Sequence, residues 1–165
     1  MRTSIAERVH KHRTGLRAAG LRPVQIWVPD TRRSGFAEEC RRASLALHAD
    51  ARPGGGAAHE LARGDLVSLA GEDPRRRLAL IIRSNLFAGH PTLTVVPLTS
   101  ELRHTPLFRL PLRPAAGNGL REPHEAMADQ VQSIPREEVG EILGHLGDDD
   151  MLAVDRALAV FLGLV

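Results

Sequence analysis

LALIIR at residues 78–83 and TLTVVPL at residues 92–98 decide the fold. Both runs are short and rich in aliphatic and β-branched residues, and Gly, Pro or charged residues bound them, so they read as strands. Working outward, DLVSLA (65–70), LFRLPLR (107–113) and AMADQVQSI (126–134) repeat the pattern. Five closely spaced strands predict a small barrel. Further on, Met151, Val154, Leu158, Phe161 and Val165 recur at steps of three and four behind Asp148–Asp150, which can cap a helix. A C-terminal helix packed on the barrel is the expectation. The reading of 135–147 stays open, because Pro135-Arg136-Glu137-Glu138 starts like a helix whereas GEILGHL (140–146) suits a last strand.

The first 50 residues are organised differently. Ser4-Ile5-Ala6-Glu7 is a capping box, followed by Ile5, Val9 and Leu16 on one helical face until Gly20 supplies a stop, which predicts a helix over 5–19. Val24, Ile26 and Val28 alternate with Gln25 and Trp27 between Pro23 and Pro29, as in a short strand. Phe36, Cys40, Ala43 and Leu47 then fall at helical spacing behind a cap at Ser34, giving a second helix over 35–48. ARPGGGA (51–57) has three successive Gly and no apolar period, the composition of a linker. Three parts result: an arm over 1–50, a linker over 51–61 and a body over 62–165.

Charge separates the arm from the body. The formal net charge of +2 arises from ten Lys/Arg against five Asp/Glu in residues 1–50 and twelve against fifteen in the remainder. A basic arm suits a polyanion or simply a solvated surface. Cys40 is the single cysteine, so an internal disulfide framework and a cysteine zinc site are excluded, and it reads as a small buried residue. The eight histidines form no pair at ligand spacing, and no Gly-rich loop precedes a helix. Neither a metal nor a cofactor is expected. No apolar run approaches the ~20 residues of a membrane span, and no apolar stretch at the N-terminus suits a signal peptide, so a cytoplasmic protein without membrane contact is expected.

Within the body, residues 75–121 hold eight arginines and one acid, Glu101. Arg holds phosphate by a two-pronged fork and keeps its charge, though a solvated strand face has the same composition. RNA cleavage without metal needs a base for the 2′-hydroxyl, a proton donor and a cationic clamp. Asp129 lies in an otherwise apolar run, where partial burial suits a base, and a structural hydrogen bond is its other reading. Thr99-Ser100 ends a strand and offers two hydroxyls, or closes a turn. His90, His104 and His124 fall in expected loops, where each can donate a proton or simply be exposed.

RGDLV (63–67), ALIIRS (79–84), VVPLTS (95–100), GNGL (117–120), MADQVQSI (127–134) and the final helix resemble, in order and spacing, the MazF/PemK toxin family over residues 63–165. The resemblance implies a mainly β fold with helices: an SH3-like small barrel of the MazF/Kid/CcdB type with a C-terminal helix, here preceded by a helix-strand-helix arm. It also implies a homodimer through this domain and sequence-selective cleavage of single-stranded mRNA to 2′,3′-cyclic phosphate and 5′-hydroxyl ends. By position it assigns catalysis to Arg77, Thr99, Ser100 and Asp129; from the concentration of arginines in 75–121, Arg75, Arg76, Arg83 and Arg103 are the expected RNA contacts. The chain departs from the family pattern in having Arg77-Leu78 where Arg-Pro is usual, and Met127 where some members place an Arg two residues before the Asp.

Residues 8–42, RVHKHRTGLRAAGLRPVQIWVPDTRRSGFAEECRR, resemble the N-terminal part of a small MazE-like antitoxin family. That implies operator DNA as a partner, read by a short β element and basic helices, with Arg22, Gln25, Trp27 and Arg32 as contacts. The acidic, aromatic tail by which such antitoxins cover the toxin is replaced by ARPGGGAAHEL (51–61), which leaves two readings open: a toxin uninhibited in cis and therefore attenuated, or a basic arm that folds back onto the body by another surface; a separate antitoxin is a further expected partner. Two other functions fit the same residues: a non-catalytic DNA-binding regulator that uses the barrel for dimerisation, and a CcdB-like toxin acting on a protein target.

Overall fold

A computed structural model describes residues 4–47, 61–70, 77–103, 105 and 107–164. The expected linker over 51–57, together with Arg75, Arg76 and His104, lies outside the described residues. Contacts divide the chain into two units, Met1–Asp30 and Thr31–Val165.

The first unit holds one helix, α1 (Ile5–Ala18), and its start is the expected capping box. The Glu7 backbone N–H donates to Ser4 Oγ at 3.1 Å, and the Ser4 N–H donates to the Glu7 carboxylate at 2.7 Å. Gly20, at φ +76°, ends the helix where a left-handed residue is needed. No described residue of this unit is buried. The strand expected over 24–28 is not formed: residues 21–30 belong to no helix or sheet, because this unit offers them no second strand.

The second unit begins with α2 (Phe36–Ala46). Its N-cap is Gly35 in the left-handed conformation, with no side-chain cap, rather than Ser34. Cys40 and Ser44, one turn apart, are buried as expected of the cysteine, and the Ser44 hydroxyl satisfies itself on the Cys40 carbonyl at 2.8 Å.

Among the described residues seven antiparallel strands follow: β1 (Asp65–Leu69), β2 (Arg77–Ile81), β3 (Thr92–Thr99), β4 (Arg109–Leu112), β5 (His124–Met127), β6 (Gln132–Pro135) and β7 (Val139–His145). Their order is β4-β5-β3-β2-β1-β7, with β6 also paired to β3. Two expectations change. The run 126–134 is two strands separated by a 3-10 turn at Ala128–Gln130, and GEILGHL is indeed a strand, entered through a 3-10 turn at Arg136–Glu138. The sheet and the helix that follows it match the barrel-with-helix class expected.

Period-two alternation sorts the strands onto two cores. Leu66, Leu80, Val96, Leu98 and Ala126 face one cluster, which α3 (Asp148–Phe161) closes with Val154, Ala157 and Leu158. Val67, Ala79, Ile81, Leu93, Val95 and Ile134 make the other. Gly147 is the N-cap of α3, and Asp148–Asp150 occupy its first turn, where acids favour the helix dipole. Two motif glycines have steric reasons. Gly64, at φ +95°, would bring a Cβ within 2.6 Å of the His145 ring, and a Cβ on Gly144 would lie 2.2 Å from the Gly117 carbonyl oxygen. No helix among the described residues is long and apolar enough to cross a membrane.

Candidate active site

Register assembles the site. Leu78 pairs with Leu98, so one step outward Arg77 and Thr99 stand opposite each other where β2 begins and β3 ends. Thr99 in turn pairs with Glu125 on β5, and Pro111 on β4 pairs with Glu125. Directly opposed residues share a face, so Arg77, Thr99 and Glu125 form a transverse row on one side of the sheet, neighbouring Cβ atoms about 5 Å apart. Arg77 is exposed, and among the described residues its guanidinium makes one long bond, to the Ala70 carbonyl at 3.3 Å, a fork of five donors suited to a phosphate. Thr99 Oγ1 accepts the Glu101 backbone N–H at 3.0 Å, so its own proton remains to be donated. Ser100 is exposed beside it.

Two residues along, about 7 Å at strand rise, the same face carries Arg109 opposite Met127. The guanidinium of Arg109 donates to Asp129 Oδ2 at 3.0 Å, and side-chain exposures of 9% and 21% make this a largely buried ion pair. The other carboxylate oxygen, Asp129 Oδ1, is buried and accepts no hydrogen bond. Asp129 therefore has its charge supported on one side and a free acceptor on the other. It stands beside the Arg77–Thr99 row rather than in contact with it.

The remaining candidates separate. Arg83 is buried, with its guanidinium donating to the carbonyls of Leu61 at 3.0 Å and Ser84 at 3.3 Å. Burial, with a smaller contribution from Arg136, lowers its pKa from the usual arginine value. Its donors brace the chain inward instead of meeting solvent. Arg103 is exposed, and its backbone N–H donates to Glu125 Oε2 at 3.0 Å, which holds the loop after Ser100 against β5. His90 binds its neighbour Thr92 through Nδ1, and His124 is buried with Nδ1 on the Glu122 carbonyl. Arg22, Gln25 and Trp27 are exposed in the first unit, and Arg32 is exposed in the second.

Sequence reasoning missed Arg109 and Glu125. The available signal was one charge inside the apolar run LFRLPLR and one inside HEAM, since a charge on a buried strand needs a partner. A second missed pair is Asp65–His145, joined at 3.0 Å between the start of β1 and the end of β7, where Asp65 also accepts the Ala62 N–H.

The comparisons agree with this architecture. A family model described as PemK-like, MazF-like toxin of type II toxin-antitoxin system matches residues 63–162, and one described as antitoxin MazE-like matches residues 6–56. A probable endoribonuclease MazF of Mycolicibacterium smegmatis is 35% identical over 105 residues, covering 62% of this chain and 96% of that protein. The antitoxin MazE of the same organism is 52% identical over 42 residues, covering 26% of this chain; the chain spans 61% of that antitoxin's length. A crystal structure of MazE-MazF from Deinococcus radiodurans superposes with a TM-score of 0.53 at 27% identity, over 64% of this chain and 99% of that one.

Proposed function

The chain belongs to the PemK-like, MazF-like toxins of type II toxin-antitoxin systems, and from that premise we propose that it is a metal-independent endoribonuclease acting on single-stranded mRNA in the cytoplasm. The observation that carries the reading is the row in which exposed Arg77 stands opposite Thr99 at the sheet's end, with the Arg109–Asp129 pair on the same face.

In this mechanism Asp129 removes the proton of a 2′-hydroxyl. The 2′ oxygen bonds to phosphorus, the bond from phosphorus to the 5′ oxygen breaks, and a 2′,3′-cyclic phosphate and a 5′-hydroxyl result. Arg77 and the Thr99 and Ser100 hydroxyls hold the non-bridging oxygens as charge accumulates, and Arg77 stabilises or protonates the departing oxygen. Arg75, Arg76 and Arg103 are proposed as further RNA contacts; Arg83, turned inward, leaves that set.

A separate antitoxin partner is supported by the MazE-MazF structure of the Deinococcus relative, and a homodimer through the toxin domain is proposed alongside it. Operator DNA is proposed as the partner of the MazE-like arm, through Arg22, Gln25, Trp27 and Arg32. The division into arm, linker and toxin domain is proposed in line with the two family matches, while by contacts α2 lies within the second unit. Buried Ser44 faces the Gly89 segment between β2 and β3, the end of β2 away from Arg77. α2, seated there within the second unit, leaves the Arg77–Thr99 row open to RNA.

The test is incubation of the purified chain with a long, weakly structured RNA in EDTA, followed by mapping of cut sites and end groups. Discrete cuts ending in cyclic phosphate, lost in Arg77→Ala, establish the reading. No cleavage, together with tight binding to promoter DNA, replaces it with the regulator.

A further inference from the structure

Glu125 is the most deeply buried ionisable side chain among the described residues, at 1% exposure. Taking a carboxylate out of water costs free energy, and an apolar residue of similar size fills such a place without that loss. Its neighbour Ala126 enters the core closed by α3, whereas Glu125 lies on the opposite face, directly across from Thr99. A buried acid in that row calls for a reason beyond packing.

Two hydrogen bonds tie the segment after β3 to this row. Thr99 Oγ1 accepts the Glu101 N–H at 3.0 Å, and two residues later the Arg103 N–H donates to Glu125 Oε2, also at 3.0 Å. The two acceptors are side chains of opposed residues on neighbouring strands, and the donors are alternate amides of one short stretch. Ser100–Arg103 is exposed and belongs to no helix or strand, so no backbone ladder fixes it. A threonine hydroxyl is otherwise a rotor. With the Glu101 N–H held at its oxygen, the Thr99 proton is confined to the remaining directions.

We propose that Glu125 is a positioning residue for RNA cleavage: by gripping the Arg103 amide it holds Ser100–Arg103 in place, and through Glu101 it orients the Thr99 hydroxyl, with Ser100 beside it, for the phosphate. The proposal rests on the endoribonuclease reading given above. Closed to solvent, Glu125 itself touches no RNA. An ionised carboxylate only accepts, and it draws an N–H more strongly than a neutral oxygen does. Stability is thereby exchanged for fixed geometry, in a reaction where a small displacement of a group that holds charge is costly.

Single-turnover cleavage and RNA affinity of the full chain separate this role from a merely structural one, with affinity read on an RNA that lacks the 2′-hydroxyl at a mapped cut site. Glu125→Leu keeps the volume and removes the acceptor. It is expected to slow cleavage by about ten-fold or more while affinity stays within about two-fold. Amide hydrogen exchange should rise over 101–103 and not over β1–β3. Glu125→Gln, which retains an acceptor oxygen, should recover most of the rate. Arg103→Pro removes the same bond from its exposed end and should slow cleavage well beyond Arg103→Ala, which keeps the N–H. Since Glu125 acts through Thr99, Thr99→Val combined with Glu125→Leu should lose less than the product of the separate losses. If Glu125→Leu loosens the strands as well, the two Arg103 variants decide. Parental cleavage by Glu125→Leu, equal rates in Arg103→Pro and Arg103→Ala, or losses that multiply in full overturn the proposal and leave the endoribonuclease reading intact. A parent chain that cleaves no RNA removes that reading and this proposal together.

Discussion

Arg109 on β4 reaches across the sheet to Asp129 and binds one carboxylate oxygen at 3.0 Å, while the other oxygen is buried without a partner. Removing one member of a largely buried pair strands the other charge, which costs about 3 kcal/mol or more. Arg109→Met is therefore expected to lower the denaturant midpoint strongly, whereas Arg109→Met with Asp129→Leu recovers most of it, because an apolar pair of similar volume tolerates the site. Neither variant is expected to cleave RNA. A single Arg109→Met variant as stable as the parent would show that the pair bears no such strain.

Arg77 provides the opposite case. Among the described residues its exposed guanidinium makes one long bond, to Ala70, so Arg77→Ala should change stability by less than about 0.5 kcal/mol. Cleavage should fall by about a hundred-fold or more, as when a donor to a developing oxyanion is removed. Thr99→Val tests the facing hydroxyl in the same assay, with a smaller loss expected because Ser100 remains. Unaltered single-turnover rates in both variants would remove the row from the mechanism.

Gly64 meets two penalties at once, a positive φ and the His145 ring. Gly64→Ala should cost about 1–2 kcal/mol for the left-handed backbone alone, plus the displacement of His145. Combining it with His145→Ala should return the steric share and leave the backbone share, so urea melts of the four-member cycle should show a favourable coupling. Strict additivity would mean that the ring moves away freely.

Cys40 and Ser44 bury the inner face of α2. Cys40→Asp places an unpaired charge there, and the helix is expected to leave its seat before the sheet unfolds. Hydrogen exchange should rise over 36–46 and remain unchanged over β1–β3, with RNA cleavage retained, since α2 sits at the end of β2 away from Arg77. Exchange that rises equally in the strands would make α2 part of the sheet's own stability.

Legibility of the sequence followed the physical range of each interaction. α1 was readable because its cap joins residues three apart, and β1 to β3 because their apolar runs are local. The stretch 126–134 was not. Leu98 pairs with Ala126, but three residues back along β3, Val95 pairs with Gln132, six residues on. The 3-10 turn thus inserts three extra residues, an odd number, and reverses which face each side chain takes: Ala126 enters one core and Ile134 the other. Strict alternation cannot describe such a segment. Arg109 stayed hidden for a related reason, since its partner is set by the β4–β5 register and lies 20 residues away. The inward turn of Arg83 likewise depends on carbonyls of distant residues, whereas its charge alone suggested a ligand. Arg77 and Thr99 were named separately, and only the β2–β3 pairing sets them side by side.

The seating of α2 on the toxin domain changes the terms of control. A helix supplied by a separate chain would occupy such a seat in proportion to that chain's own concentration. Joined in one chain, the helix has an effective concentration fixed by connectivity and independent of expression, so it behaves as a permanent subunit that no excess of toxin can titrate away. A separate chain that sought the same seat would therefore have to outcompete a tethered helix rather than fill a vacancy.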